Sequence, residues 1–299
     1  MNPKVSIIIL NWNGWKDTIE CLESLYQITY PNYDVILVDN GSEDESKEKI
    51  KEYCEGKIKV ESKFFEYDPI NKPIKIIEYT REEAEAGGGK EGEISDLPSN
   101  RKLILIKNEK NYGFAEGNNI GIRYDLKALN PDYVLLLNND TVVDKEFLGE
   151  LVKVGESVEK IGLAQPKILH YSDLTIDTTG CFCDISGAVM SRGVFEEDKG
   201  QYDHLKDAGF FYASGACLLI KKNLFRELGK ELFDKYLFAY HEDLDLSWIA
   251  RLLGYKIIYC PNSICFHKGG KTSGGWNPRI AYWGYRNWIR ILGSVKFSV

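Results

Sequence analysis

No stretch of this 299-residue chain approaches the roughly 18–20 consecutive apolar residues of a membrane span. The longest candidates are strand-sized, such as Val5-Ser6-Ile7-Ile8-Ile9-Leu10. The N-terminus lacks the basic-then-apolar layout of a signal peptide. Its seven cysteines, odd in number and without a framework spacing, fit a reducing cytosol rather than a disulfide scaffold. Cys181-x-Cys183 has no second pair with which to close a zinc site. No repeat of roughly 20–50 residues recurs, which argues against a solenoid. Acidic residues are missing from one end: after Asp245 come eight Lys or Arg and no Asp or Glu. Taking that +8 from the total of −7 leaves −15 on residues 1–245. The overall sign argues against a general nucleic-acid binder. The asymmetry points to an anionic partner near the C-terminal part, a phosphorylated ligand or an anionic membrane surface; a basic tail balancing an acidic body is the alternative.

Apolar residues make up 43% of the chain and charged residues 28%, enough to bury a core without disulfide or metal staples. The length allows one large domain or two small ones. The first half alternates strand and helix. Strand 5–10 ends at Asn11-Trp12-Asn13-Gly14 and is followed by a helical pattern from about 16 to 26, with Ile19, Leu22 and Leu25 at helical steps. Strand 33–38 ends at Asp39-Asn40-Gly41-Ser42; helix 43–54, strand 103–107, helix 115–129 and strand 133–137 follow. Strands separated by helices of this length predict a mostly parallel sheet with helices on both faces, and in such sheets ligands bind at the carboxyl ends of the strands.

Between about Glu61 and Arg101 the alternation is interrupted. Residues 73–79 suggest a short hairpin arm, and the acidic, glycine-bearing stretch Arg81–Asp96 a mobile surface excursion. Beyond residue 160 the pattern predicts strands near 161–169, 174–186 and 211–220, helices near 222–229 and 242–253, strand 256–260, and a last amphipathic helix over about 278–292.

Four strand-end or helix-start loops carry polar residues that ordinary turns do not require. Asp39 can accept from a ribose hydroxyl or a base N–H, although Asp-Asn-Gly-Ser is equally good turn and cap chemistry. A nicotinamide-binding Rossmann reading needs Gly-x-Gly-x-x-Gly after the first strand, and Leu10-Asn11-Trp12-Asn13-Gly14-Trp15 lacks it. The run Asn111–Gly121 is glycine-rich. It either offers helix-start N–H groups to an anion or, with Gly113, Gly117 and Gly121 spaced by four, packs a helix closely. Asn138-Asn139-Asp140 ends the apolar strand 133–137; Asp140 suits a hard divalent cation, or the turn chemistry is simply local. Glu242 and Asp243 stand in the first turn of a helix in which Leu244, Trp248 and Leu252 repeat at four-residue steps. They either complement the helix dipole or, where burial raises a carboxyl pKa, supply a general base.

Taken together, Val5–Asn13, Val38-Asp-Asn-Gly-Ser42, Asn111-x-Gly-Phe-Ala-x-Gly-Asn-Asn119, Leu137-Asn-Asn-Asp140, Ser214-Gly-Ala-Cys217 and His241-Glu-Asp-Leu-Asp-Leu246 resemble the family 2 glycosyltransferases, especially the rhamnosyltransferase-like branch, over nearly the whole chain. The resemblance implies an α/β fold of the GT-A type over residues 1–275. Residues 1–140 would form a nucleotide-binding half with an insertion at about 61–101, and 141–275 an acceptor half, followed by a C-terminal helix over 276–299. It implies inverting transfer of a hexosyl or rhamnosyl group from a nucleoside-diphosphate sugar, UDP or dTDP likeliest, to a hydroxyl on a glycan or lipid-linked acceptor. Asn11, Asn13 and Asp39 would hold the nucleotide base. Asn111, Gly113 and Asn118 would line the nucleotide-sugar site, with Asn138 and Asn139 beside them. Asp140 and His267 would hold Mn²⁺ or Mg²⁺; Asn138 stands where many members have another Asp. Asp243 would be the base, with Glu242 shaping the acceptor site. Ser214, Gly215 and Ala216 would admit the acceptor, and a lid over Lys268–Gly275, carrying Lys268 and Lys271, would close over the diphosphate. A nucleotidyltransferase would want a basic loop after the first strand, which residues 11–15 lack. A nucleotide-sugar-binding protein without catalysis is the non-enzymatic alternative, encouraged by Asn138.

In the last helix Arg279, Arg286 and Arg290 fall within about 40° of one another, while Ala281, Trp288, Ile291 and Leu292 face the other way. With Trp276, Trp283 and Trp288 they suit a membrane interface, or the helix docks on the catalytic core. The expectation is therefore a cytoplasmic protein, peripheral on the membrane face. Because Phe297-Ser298-Val299 supplies neither cap nor breaker, a further expectation is a longer anchored protein.

Overall fold

Polar strand ends interrupt the apolar runs, and those runs become the strands of one sheet in the computed structural model, which describes residues 2–157, 159–184, 188–205, 212–229, 231–269 and 278–294. The first half runs β1 (Val5–Asn11), α1 (Trp15–Leu25), β2 (Tyr33–Asp39), α2 (Ser46–Cys54), β3 (Lys75–Thr80), α3 (Arg81–Ala86), β4 (Lys102–Lys107), α4 (Gly113–Ala128) and β5 (Tyr133–Asn138). The second runs β6 (Thr141–Val143), α5 (Phe147–Ser157), β7 (Ile161–His170), β8 (Ile176–Thr178), β9 (Cys181–Cys183), β10 (Val189–Ser191), β11 (Cys217–Lys221), α6 (Lys222–Leu228), α7 (Glu242–Leu252), β12 (Lys256–His267) and α8 (Pro278–Ser294).

The sheet order is β3-β4-β2-β1-β5-β11-β7-β12-β6, with β8 on β7 and a separate β9–β10 hairpin. Neighbours from β3 to β5 are parallel, as are β7 and β12, while β11 runs antiparallel to both its neighbours. Alternation along β1 shows why helices cover both faces. Ile7 and Ile9 pack with Ile19, Leu22 and Leu25 of α1, whereas Ile8 packs on the other side with Ile120 and Ile122 of α4. Burying one such side chain contributes about 1.5–3 kcal/mol. Glycine lets α4 approach this closely: a Cβ on Gly117 would stand 2.6 Å from Leu10 Cδ1, and one on Gly121 would stand 2.9 Å from Ile8 Cγ2. The four-residue glycine spacing is therefore helix-on-sheet packing.

Five expectations are corrected. Residues 75–80 are not a hairpin arm but the parallel edge strand β3, in register with β4 from Lys75↔Lys102 to Thr80↔Lys107. The acidic stretch after it is fastened rather than excursive. Thr80 and Glu83 form a reciprocal cap on α3, and Glu91 accepts from the hydroxyls of Tyr79 and Tyr124, each at 2.8 Å. Strand β12 does not stop at Cys260; a register irregularity between Cys260 and Ile264 absorbs Pro261, and pairing resumes to His267↔Thr141 on β6. A proline removes one ladder donor but ends a strand only where no such irregularity accommodates it. The expected strand over 174–186 is divided between β8 and β9, and that over 211–220 is β11, from Cys217 on.

Candidate active site

A cavity of about 590 Å³ opens where the carboxyl ends of β1 and β5 meet the loops before β11 and α7, as the strand-end rule anticipates. Asn138, Asn139, Asp140 and His267 line it, together with Ser214, Gly215, Ala216, Glu242 and Asp243. Asn111 and Gly113 also face it.

Asp140 is 8% exposed and lies with its Oδ1 3.4 Å from His267 Nε2. The extension of β12 explains this proximity, because His267 pairs with Thr141, the residue after Asp140. His267 Nδ1 is 2.8 Å from Asp177 Oδ2, which fixes the ring and turns Nε2 toward Asp140. Burial works to lower the imidazole pKa, but the two carboxylates outweigh it and raise it to about 10. Burial likewise works to raise the Asp140 carboxyl, and the imidazole with the Lys268 ammonium holds it below its ordinary value. Asp177, on β8, carries no sequence motif and was not anticipated.

Backbone donors hold the second pair of carboxyls in the lining. Asp243 Oδ2 accepts from Gly215 N at 2.9 Å, and its Oδ1 from Leu244 N at 2.8 Å. Burial raises the Asp243 carboxyl and these two N–H groups oppose it. Glu242 beside it is pushed up by burial and by the Asp243 charge, and its Oε2 is buried without a hydrogen-bond partner. Backbone N–H groups thus face both carboxyls, and burial raises both. Ser214 N donates to Gln165 Oε1 at 2.8 Å and Ala216 N to Ser214 Oγ at 3.3 Å, which fixes the loop carrying Gly215.

Several anticipated residues stand behind the wall rather than on it. Asn11, Asn13, Asp39 and Asn118 are not among the residues lining the cavity. Asn11 and Asp39 are fully buried: Asn11 Nδ2 donates to Asp39 Oδ1 at 2.9 Å and to Ser42 Oγ at 3.1 Å. Asn13 Oδ1 accepts from Glu43 N at 2.8 Å, and Asn118 Nδ2 donates back to Phe114 O at 2.9 Å. The residue next to Asp39 does reach the cavity: Asn40 Nδ2 donates to Asn111 Oδ1 at 3.0 Å and to Gly113 O at 3.1 Å. Its signal was present in the same Asp-Asn-Gly-Ser turn. Asn139 Nδ2 donates to Thr18 Oγ1 at 3.0 Å.

The first N–H groups of α4 are not open to an anion. Gly113 N donates to Asn111 Oδ1 at 2.7 Å, and Phe114 N and Ala115 N donate to Phe238 O at 2.6 and 3.2 Å. Gly113 is required there: its φ is +81°, and a Cβ would stand 2.5 Å from that carbonyl. Lys268, placed on a diphosphate lid, instead pairs with Asp17 and Glu20 of α1 and does not line the cavity. Lys271 and the rest of that lid, 270–275, lie outside the described residues, as does Trp276.

Sequence reading missed the aromatic side of the cavity: Trp12, Phe114, Phe238, Tyr240 and Trp283, with Arg279 and Ile280. Trp283 stacks near Phe238 and Tyr240, with centroids 5.1 and 6.3 Å apart. Helix α8 docks on the core through Asn287, Trp288 and Ile291, while Leu292, expected on that side, is exposed and Arg286 is turned inward onto the carbonyls of Tyr236 and Leu237.

The mostly parallel sheet flanked by helices, with its cavity at the strand ends, is the fold of the GT-A glycosyltransferases it resembles. The chain belongs to glycosyltransferase family 2: the family described as "Glycosyl transferase family 2" matches residues 6–68 and "Glycosyltransferase like family 2" matches residues 93–285. It is 28% identical over 169 residues to the low-salt glycan biosynthesis hexosyltransferase Agl10 of Haloferax volcanii, covering 56% of this chain and 52% of that protein. Over 286 residues it is 21% identical to the poly-β-1,6-N-acetyl-D-glucosamine synthase of Staphylococcus epidermidis, covering 93% and 53%. The chain thus spans about half the length of these curated relatives. Among solved structures it resembles the mannosyltransferase PcManGT of Pyrobaculum calidifontis in complex with GDP-Man and Mn²⁺, with TM-score 0.61, 16% identity and coverage of 97% of this chain and 65% of that one. It also resembles GalNAc-T7 with UDP, GalNAc and Mn²⁺, with TM-score 0.58, 19% identity and coverage of 89% and 44%.

Proposed function

We propose that this glycosyltransferase is inverting and divalent-metal-dependent, and moves a sugar from a nucleoside-diphosphate sugar to a hydroxyl of a glycan or lipid-linked acceptor. The observation that carries the reading is the pairing, across one cavity of about 590 Å³, of Asp140 and His267 with Asp243 and Glu242. Asp243, kept charged by the Gly215 and Leu244 N–H groups, takes the proton of the acceptor hydroxyl as that oxygen attacks the anomeric carbon. The bond from that carbon to the diphosphate breaks in the same displacement, and configuration inverts. Glu242, beside it on the cavity lining, shapes the acceptor site, while the Ser214–Ala216 loop admits the acceptor against bare backbone.

The donor set fits a hard divalent cation. Among the described residues no group of three His, Cys, Asp or Glu could hold a metal by itself, and such cations commonly take one or two protein ligands plus substrate phosphates. Asp140 and the Asp177-oriented His267 would hold it, the cation taking the place of the His267 Nε2 proton, and it would neutralise the charge of the departing diphosphate. The imidazole favours Mn²⁺ over Mg²⁺, and the metal-bearing neighbours of the same fold support this choice. Asn40, Asn111 and Asn138 line the donor side; the nucleotide base and the sugar are read out by this chain's own cavity.

Incubating the full chain with UDP-, dTDP- and GDP-sugars, Mn²⁺ and a lipid-linked acceptor tests the reading. Wild type should release nucleoside diphosphate and extend the acceptor with inverted configuration. Asp243→Asn should lower transfer by at least about 100-fold while donor binding stays near wild type. Full activity in Asp243→Asn would remove it as the base.

The outer face of α8 supports peripheral contact with an anionic lipid surface. Tyr282, Tyr285, Ile289 and Leu292 are 62%, 72%, 69% and 44% exposed, spaced to share one stripe, in a segment with no acid after Asp245. None of the described helices is long and apolar enough to cross a membrane. Flotation with phosphatidylglycerol vesicles should recover the wild-type chain and lose the double variant Tyr285→Asp/Ile289→Asp. Equal recovery would remove the lipid contact.

A further inference from the structure

The segment between Leu237 and Glu242 has a backbone that ordinary side chains avoid. Phe238, Tyr240 and His241 have φ of +64°, +74° and +70°. Ala239 N donates to Leu237 O at 2.8 Å, closing a γ-turn around Phe238 of the positive-φ kind, which is rare and strained. Such conformations persist only where surrounding contacts over-determine them.

Those contacts come from α8. Asn287 is fully buried, and its Nδ2 lies 2.9 Å from Leu237 O, 2.9 Å from Ala239 O and 2.7 Å from Tyr240 O. Two N–H groups thus serve three carbonyls of the strained turn. The amide is oriented by Arg286, whose Nε donates to Asn287 Oδ1 at 2.9 Å while its Nη2 donates to Leu237 O at 2.6 Å. The turn then points Phe238 O at Phe114 N and Ala115 N, the start of α4, and delivers the chain into Glu242 and Asp243 two residues after Tyr240.

We propose that Asn287, presented by the C-terminal helix, is a positioning residue for the reaction. Its amide holds the strained 237–241 turn, and the turn sets both the base-bearing start of α7 and the glycine-bearing start of α4 on the donor side. The inference rests on reading Asp243 as the base, but the clamp itself is measurable without turnover. An amide whose N–H groups serve only the carbonyls of one turn holds that turn, because losing them leaves buried C=O groups unpaired.

The test compares Asn287→Ala with Trp288→Phe in the full chain. Trp288 is the next residue on the same helix, packed near Trp248 with centroids 6.1 Å apart and in one apolar cluster with Leu237 and Leu244, so its substitution loosens packing on the turn while leaving the Asn287 donors in place. Amide hydrogen exchange should accelerate roughly tenfold or more in Asn287→Ala at residues 237–243 and, through the lost Phe238 carbonyl, at Phe114 and Ala115. Trp288→Phe should lower the Tm and leave the Phe114 and Ala115 amides unchanged. With Mn²⁺ and whichever of the UDP-, dTDP- or GDP-sugars wild type turns over, Asn287→Ala should lose roughly 10- to 100-fold in kcat with donor KM within about twofold. Unchanged exchange at Phe114 and Ala115, or a kcat within about twofold of wild type in the folded variant, would overturn the proposal. If wild type releases no nucleoside diphosphate from any of these donors, the transferase reading of the site fails, and the clamp stands or falls on the exchange result.

Discussion

Asp125 illustrates how position alone changes the chemistry of a side chain. It lies on α4 against β1, fully buried, with both carboxyl oxygens lacking hydrogen-bond partners, and burial raises its pKa to about 8. Between the unfolded value near 4 and the folded value near 8, the folded state keeps a proton that the unfolded state releases, so this residue costs stability progressively as pH rises through that window. Asp125→Asn should therefore gain on wild type as pH is raised from 5 to 8 in urea melts; parallel pH dependences would show that Asp125 is not the neutral acid its surroundings require. Gly41 shows the steric counterpart. Its φ is +73° and a Cβ would stand 2.4 Å from the Lys110 backbone, so Gly41→Ala should lose about 1–3 kcal/mol and loosen Asn40 beside the donor side of the cavity. At Asp243 the raised carboxyl predicts that kcat/KM falls on acidification with a midpoint above the ordinary aspartate value of about 4, because protonation removes the base; a flat acid limb would contradict it.

At the scale of elements, fastening matters more than propensity. Helix α3 is only six residues long, below the length that forms alone in water. It is held by the Thr80–Glu83 cap and by Arg123, which pairs with Glu85 and Glu116. Thr80→Ala should lower stability by about 1 kcal/mol in thermal or urea melts while leaving turnover unchanged, since α3 and β3 stand at the far edge of the sheet from Asp243. This is also why composition misled at this stretch: acids and glycines describe a solvated surface, whereas Tyr124 and Arg123, which pin Glu91 and Glu85, come from α4, beyond the next strand. The same limit applied to β12. The expected strand 256–260 stops short of Pro261, and only pairing with β7 and β6 beyond the irregularity carries it on to His267.

For the whole molecule, the cavity joins both halves of the chain, so ligands that bridge them should act together. Mn²⁺ with UDP, dTDP or GDP should raise the Tm by more than the sum of either alone. At about 100-fold over Kd the linkage is about 2.7 kcal/mol, several degrees for a protein of this size. Asp140→Asn should abolish the metal-dependent part, and an undiminished joint shift in that variant would exclude Asp140 as a metal ligand.

Without coordinates the chain already specifies a parallel α/β sheet and the strand ends where its chemistry collects. Apolar runs with polar termini are local patterns, and Asp140, Ser214–Ala216 and Glu242–Asp243 sit at or beside those termini. Contacts between remote segments had no such trace. Asp39 and Asn11 had the right residue types, yet they are buried against each other, and Lys268 is committed to α1 rather than to a lid. Asp177, Trp283 and Asn287 became visible only once folding brought β8 and α8 to the cavity, because a hydrogen bond or a ring contact depends on distance in space, and separation along the chain does not encode it.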